Sequence, residues 1–237
     1  MYEVNSLLLL TGKDVPFRTA RCSIHQPSIN DISYIGEEEF QYGIRFLLFD
    51  KNQIAADKND LEDQSNFNIF MSVMNSKEYA KHKTGTQLVL TLMFPKAQVK
   101  IEKDKILLHF QNFDTYINEH NFADLQDIVR QIFCMDNLQG QNQYNPEDDM
   151  ARKIAEKIQK GQAKRNKNKE GEKVEIFHRY TSDLAIGLQM SINEITQYTV
   201  YQLMNQMDKF RQKEEFDMYL KAKMAGAKDI EEVKYWM

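Results

Sequence analysis

Two cysteines, one tryptophan, four prolines and nine glycines are all that 237 residues hold of the types that staple or sharply bend a chain. Cys22 and Cys134 lie far apart and neither belongs to a CxxC pair, so no disulfide framework is available and a reducing compartment is implied. Scarce glycine and proline argue against sandwiches and barrels built from many tight turns, and against long disordered tracts. No apolar run reaches the roughly 20 residues that a membrane helix needs. The four leucines at 7–10 end at Thr11-Gly12-Lys13-Asp14 and have no basic residue ahead of them, so they do not read as a signal peptide.

Catalytic and metal signatures are missing too. His25, His82, His109, His120 and His178 are scattered, none three or four residues from another histidine or a cysteine. GxSxG, P-loop and GxGxxG patterns are absent, and Gly85, Gly140, Gly161, Gly171 and Gly226 read as isolated punctuation. Sequence alone leaves a Cys134–His109 pair open. Cys134, however, falls on an apolar helix face and reads as an inert thiol, and His109 reads as a packed strand residue. No catalytic residue, metal ligand or cofactor is expected, and the chain is read as a non-enzyme.

What is present is a lopsided charge distribution. The net charge is −4, yet residues 150–173 carry nine Lys/Arg against three Glu, which leaves about −10 on the remainder. Arg152, Lys153, Lys157, Lys160, Lys164 and Arg165 lie in this segment. It holds no aromatic residue for stacking bases, so nucleic acid is a weaker reading than a solvated helix or a dock for an acidic protein surface.

The elements suggest an α+β chain: a mixed α/β N-terminal domain with a small sheet over 1–140, a basic helical connector over 141–173, and a helical, Met-rich C-terminal domain over 174–237. Residues 1–27 look extended, the leucines included, and Pro27 stops that stretch. Ser28 with Asp31 caps a short helix, Gly36 breaks it, and Glu37-Glu38-Glu39 opens a second at its positive dipole end. Residues 66–83 read as helix. The near-continuous apolar run at 86–94 reads as a strand buried on both faces, and 99–110 as a hairpin. Asn121 with Asp124 caps a helix through Phe133, and 137–147 form a polar boundary. Ser191 to Glu194 is a capping box for a helix running to 224, which Gly226 ends. Asp229 with Glu232 starts a last turn.

Five methionines fall between Met190 and Met224. Ile195, Thr199, Leu203, Met207 and Phe210 make one apolar stripe, while Tyr198, Tyr201, Met204, Phe216 and Met218 sit off it. That surplus suggests helix–helix association. Phe216, Tyr219, Met224 and Trp236 are the candidate partner contacts, with the six basic residues as an electrostatic dock.

Some of these residues carry a resemblance. Tyr201-Gln202-Leu203, Phe210, Phe216-Asp217-Met218-Tyr219, Lys223-Met224-Ala225-Gly226-Ala227-Lys228 and Trp236-Met237 resemble the end of tail assembly chaperone-like proteins of long-tailed bacteriophages of Gram-positive hosts. Ala151-Arg152-Lys153-Ile154-Ala155 is similar to their basic stretch. Pro27 to Ile32 with Gly36-Glu37-Glu38 and Phe40 is similar to their opening helix. The specific part covers about residues 176–237. The resemblance implies a chaperone in the host bacterial cytoplasm that solubilises the tape-measure protein, helps recruit tail tube subunits, and leaves room for a homo-oligomer. Rival expectations are a structural component retained in the finished tail and a nucleic-acid-binding accessory protein using residues 150–173. Recognition by a host immunity protein is compatible with the sequence and unsupported by it.

Overall fold

The computed structural model describes residues 2–50, 64–76, 80–135 and 175–226, without the side chains of 80–82. The fold is α+β, and its described residues form two small antiparallel sheets among nine helices.

Helix α1 (Ser6–Leu10) replaces the extended start expected from the leucine run. Asn5 accepts a hydrogen bond from the Leu7 N–H, and unbranched leucines hold helix well once such a cap exists. Strands β1 (Val15–Phe17) and β2 (Cys22–Ile24) then form a hairpin that pairs Val15 with Ile24 and Phe17 with Cys22. Val15, Phe17 and Ile24 face inward, as the alternation suggested.

Helix α2 (Ile29–Ile35) starts at the expected capping box. The Asp31 N–H donates to the Ser28 hydroxyl and the Ser28 N–H to the Asp31 carboxylate. Gly36, at φ 88°, turns the chain into α3 (Glu37–Leu47), which buries Phe40, Gly43, Ile44 and Leu47.

Helix α4 (Asn66–Asn75) is followed by α5 (Ala80–Met93), so the strand expected at 86–94 is helical instead. Its buried residues, Gly85, Thr86, Val89, Leu90 and Met93, recur every three or four positions, with Gln87 and Thr91 exposed between them. A run this apolar carries no readable period, and tertiary packing decides it. Gly85 is not punctuation either. A Cβ on Gly43 would lie 2.4 Å from the Gly85 carbonyl oxygen, so α3 and α5 cross backbone to backbone through two glycines.

Strands β3 (Ala97–Ile101), β4 (Ile106–Phe110) and β5 (Asp114–Ile117) form an antiparallel meander. The first two are the expected hairpin, and β5 adds a third strand. Ile106, Leu108 and Ile117 face the core against α6 (Phe122–Ile132), which buries Phe122, Leu125, Ile128, Val129 and Ile132. Asn121 precedes α6 without capping it: its side chain accepts from the Asn118 N–H and donates to the Tyr116 carbonyl.

Three helices close the described chain: α7 (Ile176–Leu188), α8 (Ile192–Ile195) and α9 (Val200–Met224). The single helix expected from 192 is interrupted at 196–199. A second capping box, Thr199 with Gln202, restarts it; this pair has the Ser/Thr-x-x-Glu/Gln form that the sequence displays. Phe177, Leu184, Ile195, Val200, Leu203 and Met207 join the same hydrophobic cluster as the residues of α1 to α6. The expected boundary at 137–147 lies outside the described residues.

Candidate interaction surface

Helix α9 spans 25 residues, about 37 Å at 1.5 Å per residue. Its first half is tied to the body. The Gln202 amide donates to the Leu10 carbonyl of α1 at 2.9 Å. The Phe210 ring occupies the space that a side chain on Gly187 would fill, so α7 and α9 approach closely there. Arg211 donates to the Tyr180 hydroxyl at 3.0 Å and lays its guanidinium 4.9 Å from that ring's centre.

Past Arg211 no residue through Gly226 is buried. The apolar residues also change direction. Val200, Leu203 and Met207, which are buried, share one narrow side of the helix. At 100° per residue, Phe216, Tyr219, Leu220 and Met224 fall on a side rotated by roughly 160° from it. Met224 is 88% exposed and Leu220 41%, while Phe216 and Tyr219 are half-buried. The Phe216 and Tyr219 rings lie 6.3 Å apart. Lys223 reaches over Tyr219, its Nζ 5.2 Å from the ring centre and donating to the hydroxyl at 2.9 Å. Met218, 59% exposed, points to the other side.

The structure thus brings together three of the expected contacts, Phe216, Tyr219 and Met224, as one stripe, and adds Leu220. Leu220 had been assigned to the core stripe's continuation; the rotation of the apolar face is the signal that separates it. Trp236 lies outside the described residues, and so do Arg152, Lys153, Lys157, Lys160, Lys164 and Arg165.

The groups with chemical potential elsewhere have structural partners. His109 on β4 faces Asp114 on β5, with its Nδ1 2.5 Å from the carboxylate on the sheet's solvent side. His25 pairs with Asp14 at 2.9 Å. Cys134 is half-buried and adopts a left-handed φ of 52° just past the end of α6, so it is not on the helix face where it was expected. Cys22 is half-buried on β2, and burial pushes its thiol up to about 11.

Two concave regions stand out. One, of about 540 Å³, is lined by Arg21, Asp114, Tyr116, His120 and neighbours between the first hairpin and β5. The other, of about 320 Å³, holds Glu37, Glu38, Glu39 and Glu175 with Tyr42 and Arg45. Glu37 was expected to complement its own helix dipole. It accepts hydrogen bonds from the Phe177 N–H at 3.1 Å and the His178 N–H at 3.4 Å, capping α7 across 140 residues of chain. Among the described residues no group of three or more His, Cys, Asp or Glu could hold a metal ion, and no helix is long and apolar enough to cross a membrane. No protein-family model matches this chain, and no curated protein or solved structure matches it either.

Proposed function

We propose that this chain is a non-enzymatic tail assembly chaperone that works in the cytoplasm of an infected bacterium, holds tape-measure helices in solution and helps recruit tail tube subunits. The observation that supports this most is the outer half of α9. It offers Phe216, Tyr219, Leu220 and Met224 as an apolar stripe turned away from the protein's own core. An amphipathic client helix meets such a stripe through side chains at i, i+3, i+4 and i+7. Methionine and leucine can repack around successive, non-identical client turns, which a long repetitive client requires. In this reading Trp236 adds a further anchor, and Arg152, Lys153, Lys157, Lys160, Lys164 and Arg165 attract acidic partner surfaces.

The test is co-expression with a tape-measure fragment. The wild-type chain keeps the fragment soluble and co-purifies with it. Phe216→Ala combined with Met224→Ala leaves the fragment in the pellet while the chaperone itself stays folded. A fragment equally soluble with the double variant, or insoluble with the wild type, would overturn the reading.

A further inference from the structure

The charges flanking the α9 stripe are not arranged at random. On one flank lie Asp217 and Lys221; on the other lie Glu215 and Lys223. Both pairs are symmetric about Tyr219: 217 and 221 are each two residues from it, 215 and 223 each four. The acidic members all precede Tyr219 and the basic members all follow it. Lys213, 3.5 Å from Asp217 along the same helix, is the one further described cation of that flank.

From this pattern we infer that the outer half of α9 pairs with the same segment of a second copy of this chain, antiparallel and centred on Tyr219. A two-fold axis between antiparallel helices brings each flank against its own equivalent. Asp217 then faces Lys221 of the second copy and Lys221 its Asp217, while on the opposite flank Glu215 faces Lys223 and Lys223 faces Glu215. All four contacts join opposite charges. Tyr219 and Leu220 of both copies fill the centre, and the half-buried Phe216 and exposed Met224 lie toward the ends.

A parallel, in-register pair brings unlike flanks together. Asp217 would meet Glu215 and Lys221 would meet Lys223, which is repulsive on both sides. The sequence therefore selects one orientation by attraction and rejects the other by repulsion. About four turns of helix per copy make an interface at the small end of specific ones, so the dimer dissociates on dilution. The inference rests on the proposed function only in giving the stripe two competing partners, the second copy and the client. The pairing itself is a property of the protein alone.

Sedimentation equilibrium of the full chain tests it without any client. The wild type shows a monomer–dimer equilibrium. Glu215→Lys with Asp217→Lys makes the segment wholly basic and weakens association at least tenfold; Lys221→Glu with Lys223→Glu makes it acidic and does the same. An equimolar mixture of the two restores the dimer, and so does one chain carrying all four changes. None of these residues is buried, so the melting transition stays in place. Orientation is read from spin labels at Gln212→Cys in a chain with Cys22→Ser and Cys134→Ser. The labelled backbones lie roughly 20 Å apart when antiparallel and about 10 Å apart when parallel. A monomer at every concentration, an assembly larger than two, a dimer indifferent to the charge variants, failed rescue, or the short label distance overturns the inference. A monomer would still leave client capture to its own experiment, and a dimer that captures no tape-measure fragment would sink the proposed function alone.

Discussion

Gln189 ends α7 in a left-handed conformation, φ 54°, and this lets its own N–H and that of Met190 reach the Ala185 carbonyl. Glycine is the residue suited to that position, because it has no Cβ to crowd the following carbonyl. Gln189 is exposed. Gln189→Gly should therefore raise stability by about 0.5–1 kcal/mol, after subtracting the extra freedom glycine gains in the unfolded chain. Urea denaturation would show it as a higher midpoint at constant slope. Cys22 makes a chemical prediction. With its thiol pKa raised by burial to about 11 against 9.0 unperturbed, it stays protonated at pH 8. Native protein should alkylate slowly there and far faster once unfolded. The sign for stability follows from the raised value: the folded state holds the proton more tightly. This contribution is complete below pH 9 and is lost as pH rises toward 11.

At the scale of elements, the crossing of α3 and α5 carries the sharpest expectation. Gly43→Ala would drive a methyl group into the Gly85 backbone, which cannot swing aside as a side chain can. The two helices must move apart, and the loss should be about 3 kcal/mol, the upper part of the overpacking range. Gly187→Ala meets the Phe210 ring instead, which has rotamers to use, so it should cost less than Gly43→Ala in the same melt. These contacts also show what a sequence can reveal. Ser28 with Asp31 and Ser191 with Glu194 were readable because each box lies within one turn, and both form as expected. The α3–α5 crossing depends on two glycines 42 residues apart, and nothing local marks either as a packing residue. The run at 86–94 offered composition without a period, and composition alone favoured the wrong element. The stripe on α9 was half legible: Phe216 visibly left the core spacing, but only the end of burial at Arg211 shows where the helix stops serving the core.

Across the whole molecule, residues on both sides of 136–174 share one hydrophobic cluster and are sewn together by polar contacts. Ser28 and Thr199 form a backbone bridge, the Ile29 N–H donates to the Tyr198 carbonyl, and the Asn30 N–H donates to the Thr196 carbonyl. The N-terminus is held similarly, with the Tyr2 N–H on Asp127 and the Val4 N–H on Gln131 of α6. A protease site engineered between 141 and 173 should therefore yield two fragments that co-elute on gel filtration and separate only in denaturant. Fragments that part in native buffer and each keep a cooperative melt would show two independent units.

The bridge between Ser28 and Thr199 also sets a schedule on the ribosome. Synthesis at about 5–20 residues per second puts roughly 10–35 s between the appearance of these two residues. Throughout that interval the amides of Ile29 and Asn30 await their acceptors, and the side of the core that Leu203 and Met207 will cover stays open. A nascent chain of this protein is thus a client for holding factors before it can act as one.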